Sequence, residues 1–369
     1  MSLRQSTMLR SLMCMVDFIH IVGARPNFMK ASPVWDALAE RGASQMLIHS
    51  GQHYDEALSA VFFEQLGMPR PDVNLGVGSG SHASQTAEIM VGLEPLFEQH
   101  KPKALILYGD VNSTLAAAIV AAKMGIRIAH VEAGLRSFDR DMPEEINRLV
   151  TDALSEWYFT PSADGDEHLL SEGVPESKIH RVGNVMIDTL VRLLPRARCP
   201  EGLDVEPGAY GLVTLHRPSN VDDAKQLGAI FSALSELREL PIIFPMHPRT
   251  RARVEEFGLT VSDHVQLVDP LGYLEFLWLQ QHAVVVLTDG GGMQEETTYL
   301  QVPCLTLREN TERPITCSEG TNELIGQDMP RLIEAVRAIL AGQAKSGRIP
   351  EGWDGKASER IADVLMSEL

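Results

Sequence analysis

Two stretches decide the fold: FIHIVGARPN at residues 18–27, near the start of the chain, and VVVLTDGGG at residues 284–292, near its end. In each, a short apolar run rich in β-branched residues enters a glycine turn, and a helical pattern follows. Such a turn presents backbone N–H groups and a helix N-terminus, which both favour an anion. One turn is weak evidence, but a turn in each half predicts a phosphate-bearing ligand held between two α/β domains.

Strands and helices alternate through most of the chain. Continuous apolar strands joined by helices are typical of parallel sheets covered on both faces, and such sheets bind ligands beyond the carboxyl ends of their strands. The predicted strands are residues 18–22, 46–50, 104–108, 126–131 and 157–160, then 212–215, 242–246, 265–268, 284–288 and 304–307. Helices are predicted at residues 29–40, 86–100 and 113–124.

The length of 369 residues fits two domains of ~180 residues each. Residues 195–211, PRARCPEGLDVEPGAYG, combine Pro, Gly and charge without periodicity and therefore predict the interdomain linker. We expect a disordered or expression-derived leader at residues 1–16, a first Rossmann-like domain at 17–195 and a second at 196–350. A last helix is expected at 351–369.

Composition excludes several classes of protein. The formal net charge of −18 argues against nucleic acid as a partner, because a polyanion is bound by clustered Lys and Arg. No apolar run approaches the ~18 residues that cross a bilayer, and the leader lacks a signal-peptide core, so a cytoplasmic protein without membrane contact is expected. The four cysteines are far apart without a CxxC pair, which indicates neither a zinc site nor disulfides.

Cations and acids follow the first strands. Arg25 and Lys30 flank the first helix start and are either a solvated pair or cations for an anion at that turn. Asp110 follows one apolar strand as a possible helix N-cap, and Glu132 ends the next strand, where a carboxylate is costly unless it is paired or used. Since one crossover helix joins these strands, both acids should point into the same crevice.

Residues 141–148 are predicted to start a helix, with Pro143 at its N1 position. Its apolar residues form one stripe, which places Glu144 and Arg148 one turn apart on the opposite face. These two side chains are either an exposed salt bridge or a third acid of the crevice with its own arginine. The stripe consists of Ile146, Leu149, Val150 and Ala153.

In the second half, His216 ends the first strand, and His247 ends the next one. An imidazole there is structural or exchanges a proton with a leaving phosphate near neutral pH. Glu295 and Glu296 lie in the first turns of the helix that follows Gly290, Gly291 and Gly292. The helix dipole alone could explain these acids, or they accept hydrogen bonds from hydroxyls such as those of a ribose.

Seven motifs together resemble the non-hydrolysing UDP-N-acetylglucosamine 2-epimerases, a family with the GT-B fold of two Rossmann-like domains. The resemblance covers residues 18 to 326 in order. It implies a UDP-sugar between the domains, a final helix that crosses back, a homodimer, and no redox cofactor or obligatory metal. The motifs are HIVGARPNFMK, GDVNST, HVEAGLRS, MPEEINR, TLHRPSN, TDGGGMQEE and RENTERP.

The resemblance also implies roles for residues. It identifies the catalytic carboxylates as Asp110, Glu132 and Glu144 and the catalytic histidine as His216. Glu296 is implied as the ribose contact. The implied nucleotide-sugar contacts are Arg25, Lys30, Gln85, Arg136, Arg148, His247, Gly290, Gly291, Gly292, Glu295, Glu296 and Arg313.

The chain departs from the family pattern in two places. Gly290 stands where the family usually has Ser, which removes one hydroxyl donor to phosphate, and we expect weaker UDP binding rather than lost activity. HRPSN at residues 216–220 replaces HRREN, and Asp55 and Ser84 occupy positions linked to activation by a second UDP-GlcNAc, so such activation is not expected.

Four alternative functions stay open. A GT-B glycosyltransferase would share the fold and the UDP cleft, and a hydrolysing epimerase would release free ManNAc. A related epimerase would act on a UDP-diacetamido-uronic acid, whereas a nucleotide-sugar sensor would bind without reaction.

Overall fold

The computed structural model describes residues 16–51 and 65–369, and for Arg25 its backbone alone. Residues 1–15 of the expected leader, and Asp55, lie outside the described residues. The described part forms two parallel sheets, with strand orders β3-β2-β1-β4-β5-β6-β7 and β10-β9-β8-β11-β12-β13. The first sheet contains β1 Phe18–Val22, β2 Gln45–His49, β3 Val73–Asn74, β4 Ala104–Tyr108, β5 Arg127–Val131, β6 Trp157–Thr160 and β7 Ile179–Arg181. The second contains β8 Gly211–Thr214, β9 Ile242–Pro245, β10 Val265–Val268, β11 Val285–Thr288, β12 Cys304–Thr306 and β13 Asn322–Leu324.

Wherever the whole connection is described, a helix joins one strand to the next, which is the crossover connection that parallel pairing requires. In the first half the helices are α1 Arg25–Glu40, α2 His82–His100, α3 Asn112–Lys123, α4 Pro143–Leu154, α5 Ala163–Ser171 and α6 Val185–Leu193. In the second half they are α7 Pro218–Val221, α8 Ala224–Glu236, α9 Pro248–Glu256, α10 Tyr273–Gln281, α11 Gly291–Leu300, α12 Pro314–Ser318, α13 Met329–Leu340 and α14 Ala357–Glu368. None of the helices in the described ranges is both long and apolar enough to cross a bilayer.

The long strands follow the sequence prediction closely, and β1, β4, β6 and β10 have the predicted bounds. The strands β3, β7 and β13 were not predicted. Each is two or three residues long at a sheet edge, with the sequences VN, IHR and NEL. A strand paired on one side only needs no continuous apolar run, so hydrophobic patterning does not mark it.

The last helix packs on the N-terminal domain, although it follows the second sheet in sequence. Ile361 and Leu365 are fully buried in the same core as Leu38 of α1. The carboxylate of Asp188 in α6 accepts the backbone N–H groups of Ala357 and Ser358 at 3.1 and 2.7 Å, so it caps the start of α14.

Candidate active site

The carboxyl ends of the two sheets meet through charged side chains. Arg313, which follows β12, donates to Oε1 of Glu132 after β5 at 2.8 Å. Arg313 also pairs with Glu295 of α11 at 2.8 Å, and Glu295 accepts a hydrogen bond from Asn184, just before α6, at 2.8 Å. These contacts join the domains at the edges where ligands of parallel sheets bind.

Glu132 lies at the centre of this cluster. Its Oε2 pairs with Lys30 of α1, and both side chains are almost fully buried. Burial alone would raise the pKa of Glu132, but the charges of Lys30 and Arg313 outweigh it and hold this pKa below its ordinary value. The backbone of Glu132 has a φ of 74°, a left-handed conformation that costs a non-glycine residue free energy and that concentrates at functional sites.

Asp110 lies near this cluster, where its charge acts on Arg313, and it pairs with Arg148. The guanidinium of Arg148 is 2% exposed and pairs with Asp110 and, at 2.7 Å, with Glu145. Asn147 also donates to the backbone carbonyl of Asp110 at 2.8 Å. The predicted proximity of Asp110 and Glu132 fits the position of Gly109, since a Cβ placed there would lie 3.1 Å from Oε2 of Glu132.

The predicted orientation of α4 was wrong. Its buried face is polar and includes Glu145, Asn147 and Arg148, whereas Ile146 of the apolar stripe is 39% exposed. Arg148 is therefore not on an exposed face, and its partners are Asp110 and Glu145 instead of Glu144. Glu144 is half-buried in the first turn. The amphipathic pattern predicted the wrong buried face because the charged residues of this helix face the cleft.

Gln85 and Arg136 have partners of their own. Gln85 is buried and accepts from Asn112 at 2.7 Å, which places it behind the Asp110 turn. The guanidinium of Arg136 is grouped with Asp152 and Glu172 rather than with Asp110 and Glu132. Burial would lower the pKa of Arg136, but these two carboxylates raise it above its ordinary value.

His216 and His247 lie together, each just after a strand of the second sheet. Their ring centroids are 5.8 Å apart, and the side chain of His216 is 43% exposed. Nδ1 of His216 lies 3.0 Å from the buried carboxylate of Asp289. A Cβ placed on Gly290 would lie 3.6 Å from Cε1 of His216, so the imidazole stands beside the glycine turn.

The two glycine turns differ in structure. In the first, the side chain of Asn27 accepts the backbone N–H groups of Gly23 and Ala24, both at 3.0 Å. The expectation that this turn presents those N–H groups to a ligand was therefore wrong, because a buried amide already uses them. In the second, Gly290 is the N-cap of α11, and its N–H donates to Thr288 at 3.0 Å.

The two acids of α11 are both buried. Burial and the charge of Glu132 raise the pKa of Glu295, although Arg313 opposes this shift. Burial raises the pKa of Glu296 to about 7, despite a hydrogen bond from the hydroxyl of Tyr273 at 2.8 Å. Carboxyl groups with raised pKa values in a cleft are typical of functional sites.

Sequence reasoning missed three acids of this region. Glu145 and Glu312 neutralise Arg148 and Arg313, and Asp289 contacts His216. The adjacent acids in PEEINR and the charges in RENTERP were signals, but spacing does not say which acid meets which arginine. In the described ranges, no three His, Cys, Asp or Glu side chains are grouped as a metal site.

Two parallel-sheet α/β domains that face each other across a charged cleft define the GT-B class. A family model described as UDP-N-acetylglucosamine 2-epimerase matches residues 36–366. The chain belongs to this family.

Relatives support this assignment over nearly the full length. A UDP-N-acetylglucosamine 2-epimerase of Methanocaldococcus jannaschii is 42% identical, with 94% of this chain and 97% of the relative covered. A UDP-2,3-diacetamido-2,3-dideoxy-D-glucuronate 2-epimerase of Pseudomonas aeruginosa is also 42% identical, with 95% and 99% covered. The crystal structure of the M. jannaschii enzyme with UDP-GlcNAc and UDP superposes with a TM-score of 0.87 at 41% identity, covering 95% of this chain and 99% of that one.

Proposed function

We propose that this protein interconverts UDP-GlcNAc and UDP-ManNAc by eliminating UDP and adding it back. The observation that carries the proposal is the cluster in which Glu132 of one domain pairs with Arg313 of the other, with the charge of Asp110, the partner of Arg148, nearby. Carboxylates can move a proton at the sugar, while cations and the glycine turn of the second domain stabilise the diphosphate.

The chemistry requires more than one acid because no carbonyl acidifies the proton at C2. Breakage of the C1–O bond leaves its electron pair on UDP and makes C1 positive, which acidifies C2. A carboxylate removes that proton, and 2-acetamidoglucal and UDP remain. Protonation of C2 on the opposite face and return of the phosphate oxygen to C1 give the epimer.

The roles follow from position. Asp110, Glu132 and Glu144 are assigned to proton transfer at C2 and to stabilisation of positive charge, and His216 to the departing phosphate. Gly291 and Gly292 at the start of α11 would bind the pyrophosphate, since helix N-termini favour anions. Glu296 would then accept a hydrogen bond from the ribose in place of Tyr273.

Electrostatics favours a sugar without a carboxylate. Every described cation of the cluster already faces an acid: Lys30 with Glu132, Arg148 with Asp110, Arg308 with Glu312 and Arg313 with Glu132. A uronate carboxylate would therefore compete with these acids for their partners, at a cost that the neutral GlcNAc does not have.

Deuterium exchange tests the proposal. The enzyme is incubated with UDP-GlcNAc in D₂O, and deuterium at C2 of both epimers is expected by NMR. Glu132→Gln, which keeps the shape but removes the base, should lose this exchange. Release of free ManNAc would indicate a hydrolysing epimerase. Exchange that occurs only with a UDP-diacetamido-uronic acid would indicate the related epimerase. Binding of UDP-GlcNAc without exchange would indicate a sensor. Transfer of the sugar to an added acceptor without exchange would indicate a glycosyltransferase.

We also propose a homodimer. The outward stripe of α4 is apolar on the helix that holds Arg148, and Ile146 in it is 39% exposed. A partner that covers it would fix this helix. Ile146→Glu should shift the mass measured by light scattering to that of one chain. Leu340→Glu, at a matched 38% exposure in α13, should not.

A further inference from the structure

Asp289 lies in the loop after β11, and its carboxylate contacts the neighbouring loop after β8. It is the first residue after β11, and it is fully buried. Its oxygens accept the backbone N–H groups of His216 at 3.1 Å and Arg217 at 2.9 Å, and a side-chain N–H of Asn220 at 3.2 Å. Its Oδ1 also lies 3.0 Å from Nδ1 of His216.

These contacts decide which ring nitrogen of His216 holds a proton. Burial would raise the pKa of Asp289, but the hydrogen bonds from His216, Arg217 and Asn220 and the nearby imidazole lower it, so the carboxylate is ionised at neutral pH. An ionised carboxylate only accepts hydrogen bonds, and its neighbour Nδ1 must therefore donate. Nε2 is then left for a ligand beside the Gly290 turn.

We propose that Asp289 is a positioning residue that keeps Nδ1 of His216 protonated and fixes the orientation of the ring, so that Nε2 can give a proton to the leaving phosphate and take it back. This inference rests on the proposed function. When the C1–O bond breaks, its electron pair stays on the β-phosphate oxygen, which takes the proton that Nε2 holds. On return, that oxygen bonds to C1 and the proton goes back to Nε2. The ionised Asp289 stabilises the imidazolium at the start and end of this cycle.

A double-mutant cycle tests the coupling. Asp289→Asn, His216→Asn and the double variant are compared with wild type for kcat and KM of epimerisation. Asp289→Asn should lower kcat about 10²-fold and leave KM within about 3-fold, because the carboxylate is proposed to affect the reaction through the histidine and not through contact with the substrate. In the His216→Asn background the same change should cost no more than about 2-fold, since residues that act as a unit are not additive. A full additional loss would overturn the proposal.

Nitrogen NMR supplies a readout that does not depend on turnover. In the free wild-type protein, Nδ1 of His216 should carry a proton, and Asp289→Asn should shift the ring toward the Nε2–H form. A wild-type ring with Nδ1 unprotonated would refute the role of Asp289 whether or not the enzyme turns over. Absence of C2 exchange in the wild type would instead reject the proposed function.

A matched control separates positioning from loop support. The hydroxyl of Thr250, fully buried in α9, donates to the carbonyl of Leu215 at 2.5 Å, one residue before His216. Thr250→Val keeps the shape and removes this bond without touching Asp289. It should lower the melting temperature but keep kcat within about 3-fold. A kcat loss equal to that of Asp289→Asn would mean that loop stiffness, not the histidine, explains the effect.

Discussion

The glycine turn after β1 and the glycine turn after β11 both follow an inner strand of their sheet, but they use their backbone differently. In the first, Asn27 is 2% exposed and accepts the N–H groups of Gly23 and Ala24. A Cβ on Gly23 would lie 2.2 Å from Oγ of Ser113, so glycine there allows the turn to pack against α3. The second turn has no such internal acceptor on Gly291 or Gly292 among the described contacts.

This difference shows that a strand, a glycine turn and a helix do not by themselves make an anion site. The first turn is satisfied from within, and its helix contributes Lys30 to the cleft. The second turn touches the cluster directly, because a Cβ on Gly291 would lie 2.6 Å from Nη1 of Arg313. We therefore assign the pyrophosphate mainly to the second turn.

The largest expected effect comes from Gly291→Ala. The added methyl group would displace the guanidinium of Arg313, which holds Glu132 across the cleft. A shift of about 1 Å at such a group can cost about 10²-fold, so kcat/KM should fall by that factor. Gly290→Ala is the control, since its Cβ would meet only ordinary contacts of 3.5 Å or more. Equal effects of the two changes would contradict the assignment.

The next largest effect is expected on the pH dependence of stability and comes from Glu296 of α11, the helix that follows the second turn. The pKa of Glu296 is raised from 4.5 to about 7, so the stabilisation tied to its proton is present below about pH 4.5 and is lost as the pH rises through 7. Glu296→Gln stays neutral and lacks this dependence. Between pH 5 and 8 the wild type should lose on the order of 2 kcal/mol of unfolding free energy relative to the variant in urea titrations. Parallel curves would show that Glu296 is ionised throughout.

Sequence patterning predicted the long central strands and the acids at their ends. A strand that is buried on both faces must be apolar, so the polar side chains that can react lie at its ends. It failed for α4, where Arg148 and Glu145 are buried and Ile146 is not. When a helix faces a charged cleft, the free energy is lower if its charged side chains point into the cleft and pair there than if its apolar side chains do. Pairings such as Arg313 with Glu132, 181 residues apart, depend on domain placement that no local pattern contains.

The first turn can be tested by removing its internal acceptor. Asn27→Ala leaves the N–H groups of Gly23 and Ala24 without a partner and removes a donor to the carbonyl of Tyr108 at 2.9 Å. Losing such a buried cap should lower the unfolding free energy by about 1.5 kcal/mol in urea titrations. An unchanged stability together with a lower KM would mean that phosphate replaces the amide there, which would reverse the comparison between the turns.

The smallest effect should come from Gly290→Ser, which restores the hydroxyl that this chain lacks at the start of α11. The space permits it, because a Cβ would lie 3.5 Å from Met293 and Thr288 and 3.6 Å from His216. A new hydrogen bond to a charged phosphate should lower the KM for UDP-GlcNAc by about 3- to 10-fold. The remaining free energy of that hydrogen bond is offset because the hydroxyl displaces a water or a backbone donor. Gly290→Ala adds the same Cβ without the hydroxyl and should leave KM unchanged. A KM that stays level or rises in the serine variant would show that the diphosphate does not approach this glycine.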